Sequence, residues 1–89
     1  VIFNTDMTAR LATLQEAAEA GETIHARYLA PTHGADYETS QPGRVTVHLS
    51  RGRTVVLAAE MAAQVADQLD ANGYSAVATT IRAEAAKAG

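Results

Sequence analysis

Arg44-Val45-Thr46-Val47-His48-Leu49-Ser50-Arg51-Gly52-Arg53-Thr54-Val55-Val56-Leu57 decides how this chain folds, because it reads as a β-hairpin whose side chains argue its register. Val45, Val47 and Leu49 alternate with Thr46, His48 and Ser50, the period of two that belongs to a strand with one buried face. Two registers compete. A two-residue turn at Arg51-Gly52 would set Leu49 opposite Thr54 and Val47 opposite Val56, leaving Val55 and Leu57 beside His48. A three-residue loop, Ser50-Arg51-Gly52, sets Leu49 opposite Arg53, Val47 opposite Val55 and Val45 opposite Leu57. Only the second keeps the apolar residues on one face, and a slip of one residue would send that whole set to water. The expectation is therefore the three-residue loop, with Gly52 in the left-handed position of a type I turn with a G1 bulge.

Upstream, Glu22 to Ala30 also has period two: Ile24, Ala26 and Tyr28 share one face, and Thr23, His25, Arg27 and Leu29 the other. Pro31 ends that strand by removing a ladder donor. Thr32 to Gly43 is a polar, turn-rich connection, and loops of about a dozen residues without structure of their own are usually functional or mobile. Further upstream, Asp6 to Ala20 is helical, with Met7, Leu11, Leu14 and Ala18 on one stripe, Thr5 or Asp6 as N-cap and Gly21 as the stop.

Downstream of the hairpin, Ala59 to Asn72 is a helix with a stripe of Met61, Ala62, Val65, Ala66 and Leu69. Asn72-Gly73-Tyr74 fits a Schellman stop, with Gly73 at C′ and Tyr74 able to pack back on Leu69. Ser75 then caps a third helix with Val77, Ile81, Ala85 and Ala88 on one face and Glu84 near Lys87. The short connection makes the last two helices an antiparallel hairpin. Residues 1–89 are thus expected to form a single small α+β domain in the order α-β-β-β-α-α. Its three-stranded sheet, with the β-hairpin at 44–57, is packed by an N-terminal helix and a C-terminal helical hairpin. The pattern leaves strand order open.

Composition narrows the function classes. The apolar fraction is 47%, but twenty of those residues are alanine, and about two dozen large apolar side chains make a thin core. A homodimer, which would bury more, stays open. There is no cysteine for a disulfide or a thiolate metal site. No apolar run reaches membrane-spanning length, and Val1-Ile2-Phe3 is too short for a signal-peptide core. The net charge of −3 is unhelpful to general nucleic-acid binding, where phosphate neutralisation supplies most of the affinity.

Candidate chemistry is sparse. His25, His33 and His48, with Asp36 or Glu38, have none of the spacings that make a metal site readable, so no metal or cofactor is expected. Ser40, His33 and Asp36 share one loop with no scaffold to orient a base, and GxSxG, HExxH and glycine-rich phosphate motifs are absent. The expectation is a protein without catalytic residues. The basic hairpin is the sharper feature: Arg44, Arg51 and Arg53, with His48 between them, lie in a stretch free of acids from residue 39 to 59. That segment carries +3 on a remainder of −6, an asymmetry that steers an anionic partner. Arg44, His48, Arg51 and Arg53, with His33, Asp36 and Tyr37 of the loop, are the candidate partner-binding residues.

The stretch Ile24-His25-Ala26-Arg27-Tyr28-Leu29-Ala30-Pro31-Thr32, followed after the loop by Gly43-Arg44-Val45, resembles short bacteriophage and plasmid proteins of unassigned function. Those carry an I-x-x-[basic]-Y-L-x-P-T strand, a loop ending Gly-Ser-Arg and further strands. This chain lacks the serine between Gly43 and Arg44, has a longer loop, and adds an N-terminal and a third helix. The resemblance implies a non-enzymatic accessory or regulatory protein of a phage or mobile element, acting in a bacterial host's cytoplasm by binding a macromolecule, foremost a protein. It transfers no catalytic residue. The strand from Arg44 to Ser50 followed by helix, glycine turn and helix is also similar to ribbon-helix-helix repressors, which would imply a small dimeric DNA-binding regulator. The intervening strand Thr54 to Leu57 and the acidic or neutral helices depart from that pattern.

Overall fold

The computed structural model describes residues 5–34 and 41–88. Helix α1 (Thr5–Glu19) leads into strand β1 (His25–Leu29), and after the loop come β2 (Arg44–His48) and β3 (Thr54–Ala58). Helices α2 (Ala59–Ala71) and α3 (Ser75–Ala85) follow, and a 3-10 turn at Ala86–Ala88 continues α3. This is the expected α+β architecture in the expected element order. The strands form one antiparallel sheet in the order β1-β2-β3, so chain neighbours pair and β2 is central.

The hairpin adopts the apolar register. Val45 stands opposite Leu57, Val47 opposite Val55 and His48 opposite Thr54, and the Leu49 N–H donates to the Arg53 carbonyl at 2.9 Å. The turn itself differs from the expected type I plus G1 form. Arg51 (φ 64°) and Gly52 (φ 73°) are both left-handed, and the Arg53 N–H donates to the Ser50 carbonyl at 3.4 Å. Positive φ at both central residues belongs to a type I′ turn, whose twist matches that of the flanking strands. Ser50 is then a bulged residue: Leu49 and Ser50 together oppose Arg53. The bulge supplies the extra position that a two-residue turn lacks. The bulged Ser50 N–H donates to Glu22 Oε1 at 3.2 Å, and the Arg53 guanidinium pairs with the same carboxylate.

One face of the sheet carries the core. Val45, Val47 and Leu57 are fully buried with Leu14 of α1, Val65 and Leu69 of α2 and Ile81 of α3. Burying each such side chain contributes roughly 1.5–3 kcal/mol. Helix α2 lies over β2 and β3, α3 lies over β1 and β2, and the two helices pack tightly on each other. Helix α1 packs against α2, which rotates its buried face: Ala17 is buried with Met7 and Leu14, whereas Ala18, expected on the stripe, is half-buried.

The helix ends follow the expected stops with small shifts. The Tyr74 N–H donates to the Leu69 carbonyl at 2.8 Å and the Gly73 N–H to Asp70 at 3.1 Å, the paired bonds of a Schellman motif with Gly73 at φ 94°. Glu22 and Gly21 close α1 in the same way, on Ala17 and Ala18 at 3.1 Å each. Ser75 is not the cap of α3 but its first residue. Tyr74 holds the cap position, makes no side-chain cap bond, and accepts the Ala78 N–H at 3.0 Å. Thr5 likewise lies inside α1, and the position before it is outside the described residues. Ala88, expected on the inner face, is exposed in the closing 3-10 turn.

A non-glycine residue in the left-handed region costs about 1–2 kcal/mol, and asparagine tolerates it best. Arg51→Asn is therefore expected to raise stability by about 0.5–1 kcal/mol, read as a higher urea midpoint with an unchanged slope.

Candidate functional site

The side chains that the core rejects define the site. Strand alternation turns His25, Arg27 and Leu29 of β1, Arg44, Thr46 and His48 of β2, and Thr54, Val56 and Ala58 of β3 to the sheet face opposite the helices. The pairing aligns them in three rows across the strands: His25-His48-Thr54, Arg27-Thr46-Val56, and Leu29-Arg44-Ala58. His25, Arg27, His48 and Val56 are exposed, and Arg44 and Thr46 are half-buried. Among the described residues this face carries two arginines and two histidines and no carboxylate.

The ion pairs explain why these cations stand out. Of the seven Lys and Arg residues, Arg53, Arg82 and Lys87 pair with carboxylates: Arg53 with Glu22, Arg82 with Asp67 at 2.8 Å, and Lys87 with Glu84 at 2.8 Å. Arg10, Arg27, Arg44 and Arg51 have no ion pair among the described residues, and Arg10 lies on α1, away from the sheet face. The Arg44 Nη1 is buried without a hydrogen-bond partner, as are Gln15 Nε2 and Gln64 Oε1, so that nitrogen itself is not presented to solvent.

The structure separates the residues that the hairpin's sequence groups together. Arg44 and His48 share the open face, and Arg51 stands exposed at the turn beside it. Arg53 has the parity of Val55, so it leaves the sheet on the helix side, where Glu22 and the Ser50 carbonyl (3.2 Å from Arg53 Nε) engage it. His33 is exposed beyond the bridge that closes the loop base, where Thr32 and Gln41 exchange two backbone bonds of 2.9 Å. Asp36 and Tyr37 lie outside the described residues. Arg27 and His25 join the site although they are distant in sequence from the hairpin. Their shared face was legible from alternation in β1, but its alignment with Arg44 and His48 depends on the β1–β2 pairing.

Two carboxylates frame the site without entering it. Glu84 of α3 accepts the outward Tyr28 N–H of β1 at 2.9 Å. The Lys87 ammonium first, then that N–H, hold its carboxyl below the ordinary value, with a further contribution from the nearby Arg27 charge. Glu22 is lowered chiefly by its bond to Arg53. On the helix side, a cleft of about 440 Å³ is lined by Ala18, Glu22, Ile24, Tyr74, Val77 and Thr80 among others. Its titratable groups are already engaged, Glu22 as above and Tyr74 with Glu19, so it offers no free acid or base. The described residues contain no cluster of three or more potential metal ligands, and no helix among them is long and apolar enough to cross a membrane.

Comparison with protein-family models, curated proteins and solved structures finds no match for this chain. The reading of the site therefore rests on its geometry.

The Arg53–Glu22 tie has a pH signature. The folded state lowers Glu22 below its ordinary 4.5, so its contribution is complete above that value and is lost as pH falls through the lowered folded value. Glu22→Gln is expected to be less stable than wild type at neutral pH and to converge with it in acid. Urea unfolding followed at a series of pH values checks this.

Proposed function

We propose that this is a non-enzymatic accessory protein that binds an acidic segment of a protein partner on its open sheet face. The observation that carries this reading is the set of side chains without an ion pair that shares one sheet face, Arg27, Arg44, His25 and His48, with no carboxylate beside them among the described residues. Guanidinium groups match carboxylates in a bidentate fork, and no acid among the described residues of this face competes for those donors. Arg51 adds support. It occupies a left-handed turn position where asparagine or glycine would fit better, and a strained position held by an exposed cation suggests a use for that cation.

A discrete carboxylate ligand fits better than a nucleic acid. The chain as a whole is acidic at −3, so the long-range field opposes a polyanion outside this face. Among the described residues no aromatic side chain stands on this face to stack a base, since Tyr28 belongs to the core side. The alternative, a dimeric DNA-binding regulator of ribbon-helix-helix type, would use a strand free to pair with a second copy. Strand β2, the strand of that comparison, is bonded on both sides within its own chain, and β3, which directly precedes α2, carries no basic residue to read a groove. The phage or mobile-element setting agrees with the strand pattern around Tyr28 and remains part of the proposal.

The test is fluorescence anisotropy with a labelled glutamate-rich peptide and, in parallel, a labelled DNA duplex, each titrated at low and at raised salt. Expected is peptide binding that weakens with salt and falls tenfold or more (about 1.4 kcal/mol) in Arg27→Glu. Arg27 is exposed, so that change leaves the fold intact. Tighter, salt-sensitive binding of the duplex would replace this reading with the DNA-binding one, and an unaffected Arg27→Glu would remove the sheet face from it.

A further inference from the structure

The two edges of the sheet are unlike, and the difference points to a second copy of the chain. At the β1 edge the outward Tyr28 N–H is taken by Glu84, and the strand carries the charged Arg27. Both are devices that keep an edge from pairing. Among the described residues the β3 edge has neither. Thr54-Val55-Val56-Leu57-Ala58 contains no charge and no proline, and the hairpin's bulge lies on the β2 side of the turn, at Ser50.

The direction of the β3 backbone follows from its bonds. The Leu49 N–H reaches the Arg53 carbonyl at one end, and the Ala59 N–H reaches the Gly43 carbonyl (3.2 Å) at the other. Odd-numbered residues therefore bond to β2, and Thr54 and Val56 turn their N–H and C=O groups outward, with the Ala58 N–H beside them. These groups have no partner among the described residues. The Val56 side chain is 43% exposed, the one large apolar side chain so exposed among the described residues.

We propose that β3 pairs antiparallel with β3 of a second copy across a twofold axis at Val56. In that register Val56 exchanges both backbone bonds with its own copy, and Thr54 stands opposite Ala58 at either end, where its C=O accepts the outward Ala58 N–H. The register is self-complementary, as an isologous contact requires. It also brings the Arg51-Gly52-Arg53 turn alongside Glu60 of the second copy. Arg51 and the exposed Glu60 have no ion pair among the described residues, so opposite charges meet twice. The axis runs perpendicular to the sheet. Both open faces therefore point the same way and form one six-stranded surface with a doubled set of Arg27, Arg44, His25 and His48, while all helices stay on the other side. A strand edge is a small interface beside the roughly 1,000 Å² of stable complexes, so the dimer is a concentration-dependent equilibrium.

Sedimentation velocity from micromolar to hundreds of micromolar tests this independently of any ligand. Expected for wild type is a mass that rises from 9.3 kDa toward twice that value. Val56→Lys sets two ammonium groups on directly opposed positions, where like charges repel. It is expected to weaken the dimer at least tenfold while circular dichroism shows the same fold, because the site is solvent-exposed. A wild type that stays monomeric throughout overturns the proposal. So does a dimer that survives Val56→Lys.

Discussion

Ser50 is one residue too many opposite Arg53, and the rest of the sheet depends on how that surplus is held. The left-handed turn at Arg51-Gly52 brings the strands together with the right twist but, unaided, in the register that would mix valines with His48. The bulge shifts the pairing by one position and restores the match of Val45 with Leu57 and of Val47 with Val55. Its cost is a backbone N–H left out of the ladder, and Glu22 satisfies that group from the start of the β1 segment. One carboxylate thus connects the end of α1 to the tip of the hairpin.

The same register sorts chemistry as well as hydrophobicity. With the apolar set turned to α2 and α3, Arg44 and His48 have only the opposite face available, and β1 adds Arg27 and His25 in line with them. Among the described residues the acids that make bonds are placed elsewhere: Glu22 at the turn, Glu84 at the β1 edge, and Asp67 and Asp70 beside Arg82 on the helices. An acidic chain thereby presents a basic face. The effect arises from position and not from net charge, which is why composition alone gives little hint of it.

Much of the fold was legible because the local signals agreed with one another. Alternation in 44–57 favoured one register strongly, and the Asn72-Gly73-Tyr74 stop formed as its residue types demand, since few residues reach the left-handed position without strain. The misreadings were of detail where two local solutions compete. A type I turn with a G1 bulge and a type I′ turn with a bulge before it give the same register from Ser50-Arg51-Gly52, and the choice lies in strand twist. Ser75 is a fitting cap by type, yet the Schellman bond to Leu69 left Tyr74 at the cap position and carried Ser75 into the helix. Arg53 belonged to the basic run by its sequence neighbours, but its parity puts it on the helix side with Glu22.

The sequence by itself determined the elements, their order, the hairpin register and which residues of each strand share a face, because these depend on periodicities of two and 3.6 and on glycine's freedom within a few residues. Only the tertiary structure decided the strand order, the alignment of Arg27 with Thr46 and of His25 with His48, and the engagement of Arg53 by a carboxylate 31 positions away. It also decided that the β1 edge is capped by Glu84 while the outward groups of β3 have no partner among the described residues. Those outcomes depend on contacts between segments far apart in the chain, whose pairing is selected by the packing of a shared core and not by the local preferences of either segment.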